Sequence, residues 1–128
     1  MAYDNPTVLT YTLPAVDFGA GGGSFAIKAP SGFEHGRILD VGVAVTATFT
    51  AITTPGYVRL GTTTDAVAYA ELNMGTAAAN DYYNTQDDTD AIIAADVTNT
   101  QIEVACVAPT GGTTPAGIGT VHITIAWF

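Results

Sequence analysis

An all-β chain, folded as an antiparallel β-sandwich of jelly-roll-like form with about eight strands, is what this sequence predicts. Three observations carry the expectation. The first is the stretch Leu39 to Phe49, where every second residue is apolar. Leu39, Val41, Val43, Val45, Ala47 and Phe49 fall on one side of an extended chain, and Asp40, Gly42, Ala44, Thr46 and Thr48 on the other. At about 3.3 Å per residue this strand reaches roughly 35 Å, enough to cross a whole sheet and carry neighbours on both edges. The second is the recurrence of Pro- and Gly-rich turn signals between short alternating runs. The third is the lack of a convincing helical period, with connections too short for helical crossovers, which favours antiparallel pairing.

In chain order, residues 1–6 read as a short N-terminal arm ending at Pro6, and 1–128 as a single domain. Thr7 to Leu13 alternates Leu9, Tyr11 and Leu13 against threonines, and Pro14 is expected to stop that ladder. Asp17 to Gly23 reads as a flexible connection, followed by a strand over Ser24 to Ala29 with Phe25 and Ile27 inward. Pro30-Ser31-Gly32 makes a turn into the long strand. Pro55-Gly56 is a strong turn dipeptide, because Pro presets φ and Gly accepts positive φ; Tyr57 to Gly61 then reads as a hairpin-like return on the long strand.

Ala66 to Leu72 suits a strand with Val67 and Tyr69 on one face, although its alanines would also suit a helix. Asn73 to Asp90 is the least regular region, a long loop whose alanines could form one helical turn. Ala91 to Ala95 reads as a weak strand. Thr100 to Val107 is a clear one with Ile102, Val104 and Cys106 inward, and Pro109 to Gly117 is a turn-rich connection. Ile118 to Phe128 closes the chain with Val121, Ile123, Ile125 and Trp127 on one face.

Composition narrows the function classes. Only 12% of residues are charged, about half the usual share, and the mean hydropathy is +0.30. Twelve acids against three bases (Lys28, Arg37 and Arg59) give a net charge of -9, too few cations to assemble a phosphate-binding stripe, so nucleic acid is not an expected partner. No apolar run approaches the length of a membrane-crossing helix, so no membrane is expected either. The opening residues have neither a positive n-region nor an apolar h-region, and no signal peptide is expected. The single cysteine, Cys106, cannot form an intramolecular disulfide, so apolar burial must hold the fold.

Few side chains suggest chemistry. The Gly19 to Gly23 run precedes a strand and lacks the Gly-Lys-Ser/Thr of a phosphate loop, which makes it a linker. His35 and His122 stand in separate segments, without the clustered His and Glu ligands that a cupin-type metal enzyme needs. Cys106 sits mid-strand among apolar neighbours and reads as an inert thiol. Asp87, Asp88 and Asp90, with Asp81 nearby, form an acidic loop that could hold calcium; it lacks the glycine and the spaced acids of an EF-hand and reads first as a solvated loop. Tyr82-Tyr83 beside it could be an interface anchor, a sugar platform or local packing. No catalytic residues and no cofactor are assigned.

The short, acidic, cysteine-poor and Thr/Ala/Gly-rich chain, with its arm Ala2-Tyr3-Asp4-Asn5-Pro6 and its terminal strand Gly119 to Phe128, resembles the capsid decoration (cement) proteins of tailed bacteriophages. The resemblance implies a β-rich, non-enzymatic structural protein, often a homotrimer. Such a protein is made in the host cytoplasm and carried on the virion, where it binds the outer face of the major capsid protein shell. Tyr3, Asn5, Pro6, Tyr82 and Tyr83 are then the expected partner contacts. The alternative from another class is a carbohydrate-binding β-sandwich, calcium-dependent through the aspartates, with Tyr82 and Tyr83 as its platform.

Overall fold

The computed structural model describes residues 7–50, 53–88, 90–94, 96–98, 101–111 and 116–128. Among them nine strands form: β1 (Thr7–Asp17), β2 (Gly22–Lys28), β3 (Gly36–Thr50), β4 (Tyr57–Gly61), β5 (Ala70–Asn73), β6 (Tyr82–Asn84), β7 (Ile92–Ile93), β8 (Gln101–Val107) and β9 (Ala116–Trp127). One sheet runs β1-β9-β3-β6, the other β2-β8-β4-β5-β7, and every pairing is antiparallel. The pairs β4–β5, β3–β6, β2–β8 and β1–β9 are nested one inside the next. The chain is thus a long two-stranded ribbon, doubled back between β4 and β5 and wrapped into two facing sheets, which is the winding of a jelly roll. The two-residue β7 is the addition to that plan.

The core lies between the sheets. Val41, Val43, Val121, Ile123, Ile125 and Trp127 from one side meet Val58, Leu60, Leu72, Ile102 and Val104 from the other, all 0% exposed. Fully burying each such side chain contributes about 1.5–3 kcal/mol before backbone ordering is counted. No polar or charged side chain is buried among the described residues. The inward sets expected for β2, β8 and β9 are all found.

The long strand departs from strict alternation. Opposite β9 the register steps from Ile38↔Ile125 to Asp40↔Thr124, leaving Leu39 as the extra residue of a bulge. The parity therefore flips: Ile38 is inside, and Leu39, expected inside, is 50% exposed. A second shift between Val45 and Ala47 leaves Ala47 half-buried, while Phe49 is fully buried.

Pro14 does not end β1. It falls at a bulge between Leu13 and Val16, with Ala15 at φ 54°, and the strand resumes to Asp17. This is tolerated because β1 is an edge strand, where a missing N–H breaks no ladder. The expected flexible connection is instead a 3-10 turn over Phe18–Ala20. Asp17 accepts a hydrogen bond from the Ala20 N–H at 3.1 Å, and Phe18 is driven into the core against Phe49. Burial of one aromatic ring outweighs the looseness of the glycines around it.

Tyr57 to Gly61 is a strand, but it is not a return on β3. It pairs with β5 and β8 in the opposite sheet, because Val58 and Leu60 are satisfied by facing β3 across the core. Residues 66–69 turn, with no helix, and β5 starts only at Ala70; its inward pair is Ala70 and Leu72, while Tyr69 is buried from the turn.

The irregular region is also more ordered than its composition suggests. Met74 and Ala77 are buried. Backbone bonds Phe49 N–H to Ala77 O, Asn80 N–H to Val45 O and Val45 N–H to Asp81 O lay residues 77–84 along β3 as the sheet's outer edge. Its alanines form turns rather than a helical turn.

Candidate functional site

A built polar surface lies on the outer face of the β1-β9-β3-β6 sheet. Register places Thr10, Thr124 and Asp40 in one row and Thr12, His122, Gly42 and Asn84 in the next. Thr10 and Thr124 share a hydroxyl hydrogen bond of 3.1 Å, and Thr12 Oγ1 lies 3.3 Å from His122 Nδ1. From β6, the Tyr82 ring lies over Gly42 and its hydroxyl donates to Asp40 Oδ2 at 2.5 Å. Glycine is required beneath it, because a Cβ on Gly42 would collide with the Tyr82 hydroxyl. His122 lies beside the same ring, centroid to centroid 6.0 Å. Tyr82 thus clips the short edge strand β6 onto β3.

Partial burial, then the hydrogen bond and charge of Asp40, raise the Tyr82 hydroxyl above its ordinary 10.0. It is a fixed donor at neutral pH. Because the unfolded chain ionises first, this contribution to stability is present below pH 10 and declines as pH rises beyond it. Tyr82→Phe is expected to cost about 0.5–1.5 kcal/mol at neutral pH and to flatten the alkaline decline, both measured by urea titration across pH.

Tyr83 does not accompany its neighbour. As consecutive residues of a strand the two point to opposite faces: Tyr82 is 45% exposed outside, and Tyr83 packs against the core. They cannot form a joint platform. The carboxylates of Asp87 and Asp88 are engaged locally. Asp87 accepts from the Asn84 N–H at 3.0 Å, and Asp88 from the N–H groups of Asn73 and Asp90 at 2.8 and 3.0 Å. They shape the loop after β6, and among the described residues no three His, Cys, Asp or Glu side chains gather as a metal site. Tyr3, Asn5 and Pro6 lie outside the described residues.

His35 stacks on Phe128 with centroids 5.6 Å apart and has Asp96 at 3.6 Å, far along the chain from His122 and part of a different row. Cys106 is 3% exposed, and burial pushes its thiol up to about 11, so it is protonated and shielded at neutral pH. A disulfide reagent such as Ellman's is expected to leave Cys106 unmodified in the folded protein at pH 8 and to react fully in denaturant; fast labelling of the native state would contradict its placement.

One surface feature escaped the sequence pattern. Among the described residues seven large apolar side chains are exposed, and three of them, Val8, Leu39 and Phe128, lie near the end of the same sheet where β1 begins, while Leu9, the register partner of the buried Ile125, is on the inner side of that edge. The bulge puts Leu39 outside, and a bulge leaves no mark in an alternating sequence.

The fold and surface define a jelly-roll sandwich with a polar outer sheet face. Neither the protein-family models nor the curated proteins give a match. Among solved structures, a chain of the cyanophage Pam1 capsid asymmetric unit is similar at 16% identity with a TM-score of 0.50, over 98% of this chain and 89% of that one. At that identity the likeness is one of fold.

Proposed function

We propose that this chain is a non-enzymatic structural protein of a phage particle: a decoration protein that binds the outer surface of the capsid shell as a homotrimer and stabilises it. The observation that carries the reading is the likeness to a chain of a capsid asymmetric unit across nearly the whole length of both. The surface chemistry supports it. The outer face of the β1-β9-β3-β6 sheet presents threonines, a histidine and a clipped tyrosine, which a shell can cover without stripping water from many unpaired charges.

The carbohydrate-binding alternative loses support. Its two tyrosines face opposite ways, and the carboxylates of Asp87 and Asp88 already bond backbone N–H groups.

The test is co-sedimentation of the purified protein with empty shells assembled from the major capsid protein of the phage that encodes it. Saturable binding to shells, none to free subunits and a raised shell melting temperature are expected. Failure to pellet with shells would overturn the proposal.

A further inference from the structure

We infer that the free edge of β1, over Thr7 to Leu13, pairs with β1 of a second copy of this chain, the two strands running antiparallel about a two-fold axis at Thr10. The contact is separate from the proposed function. An isologous pair joins one copy to one other, so it would link neighbouring trimers rather than build one, and it needs no shell.

β1 is the outermost strand of its sheet. Thr7 to Leu13 pairs with β9 residue by residue on one side, and among the described residues no strand pairs with the other side. Such an edge presents a row of backbone N–H and C=O groups to any further strand, and folded proteins usually close it with charge, proline or brevity. The remaining edges are closed in these ways. β6 has three residues and β7 two, while β2 starts on Gly22-Gly23 and ends on Lys28. Over Thr7 to Leu13, β1 has no charge, no proline and no glycine, and its valine, tyrosine and threonines favour a strand. Its blocking devices, Pro14 and Ala15 at φ 54°, come only after Leu13.

The inner side of the strand is also incompletely covered. Leu9, Tyr11 and Leu13 pair with the fully buried Ile125, Ile123 and Val121, yet Leu9 is 37% exposed and the other two are half-buried. One more strand alongside would cover them.

Register and charge select an identical strand. Antiparallel self-pairing centred on Thr10 uses every residue ahead of the bulge and keeps inner side chains with inner ones. Leu9 then lies beside the partner's Tyr11, and Val8, 52% exposed on the outer face, beside the partner's Thr12. Seven facing residues supply about six to eight new backbone hydrogen bonds, and the two sheets of four strands become one of eight. A chain of net charge -9 meets its own copy most easily where it is neutral. The charged residue in Thr10's row, Asp40, is two strands in from β1. At about 4.8 Å per strand, it and its counterpart would stand about 24 Å apart, well beyond the screening length of about 8–10 Å. A basic partner, by contrast, would find nothing to complement on this edge.

The experiment places single cysteines on a Cys106→Ala background and oxidises the full chain with copper–phenanthroline at micromolar concentration. Thr10→Cys, on the axis and facing its own copy, should give at least tenfold more disulfide dimer than Thr46→Cys, an exposed position on β3. Thr12→Cys alone should stay at the Thr46→Cys level; mixed with Val8→Cys it should cross-link as Thr10→Cys does. Adding Thr10→Lys to both chains of that mixture sets like charges face to face and should abolish the cross-link with the circular dichroism spectrum unchanged. Equal trapping at Thr10 and Thr46 overturns the inference, as does a Thr12→Cys self-dimer in place of the mixed one. No dimer from Thr10→Cys, together with loss of shell binding by Thr10→Lys, would give the edge to a strand of the shell and overturn it too. The trapping itself involves no shell, so capsid binding can fail while this pairing stands, and the reverse.

Discussion

Val45→Asp is expected to leave no cooperatively folded protein. Val45 is 2% exposed on the inner face of β3, and its backbone N–H and C=O are both committed to the 77–84 segment. A carboxylate there would have no cation and no donor within a core that holds no buried polar side chain among the described residues. An unpaired buried charge costs several kcal/mol even after relaxation, comparable with the whole stability of about 5–15 kcal/mol typical of a domain. The informative control is Leu39→Asp. Strict alternation would make the two substitutions equivalent, whereas the bulge makes Leu39 a surface residue, and its replacement should change stability by no more than about 0.5 kcal/mol. Circular dichroism and urea melts of both proteins check this. A folded Val45→Asp or an unfolded Leu39→Asp would contradict the register of β3.

Trp127→Ala should cost about 3–5 kcal/mol, the range for emptying a large aromatic site. Trp127 is fully buried near the end of β9, lies against Gly36 where a Cβ would meet its ring at 2.9 Å, and donates its indole N–H to the Tyr11 hydroxyl at 2.8 Å. It ties β9, β3 and the edge strand β1 together. Trp127→Phe retains most of the volume and loses the hydrogen bond, so the difference between the two variants separates packing from the bond to Tyr11. Urea unfolding followed by circular dichroism is the measurement; a loss under 1 kcal/mol for Trp127→Ala would place this ring outside the core.

Fold class was legible because it rests on period-two alternation, which β3, β8 and β9 display plainly. What escaped was where the alternation slips. Leu39 and Pro14 sit at bulges, and their cost is absorbed by partners distant in the chain. The pairing of β4 escaped for a related reason. Pro55-Gly56 encodes a change of direction but not the sheet the next strand joins, which is decided by the surface that Val58 and Leu60 must cover. In the candidate site, Tyr82 was legible as a chemistry-bearing residue. Its partner Asp40, 42 residues earlier, was not, because only the placement of β6 beside β3 brings them together. The acidic loop read as solvated, and two of its carboxylates, Asp87 and Asp88, accept hydrogen bonds from the backbone N–H groups of Asn84, Asn73 and Asp90.

The nesting of the ribbon also governs when the molecule can assemble. Strand β9 lies between β1 and β3, so the sheet that begins with Thr7 cannot close until the last strand has been synthesised. Thr10 and Thr124, which face each other across that seam, are 114 positions apart. High contact order of this kind slows the search for the native state to milliseconds or longer and leaves sticky edges unsealed meanwhile. A ribosome-bound chain stalled before β9 should therefore remain protease-sensitive throughout, and resistance should appear in one step only in chains long enough for β9 to have emerged from the ribosome.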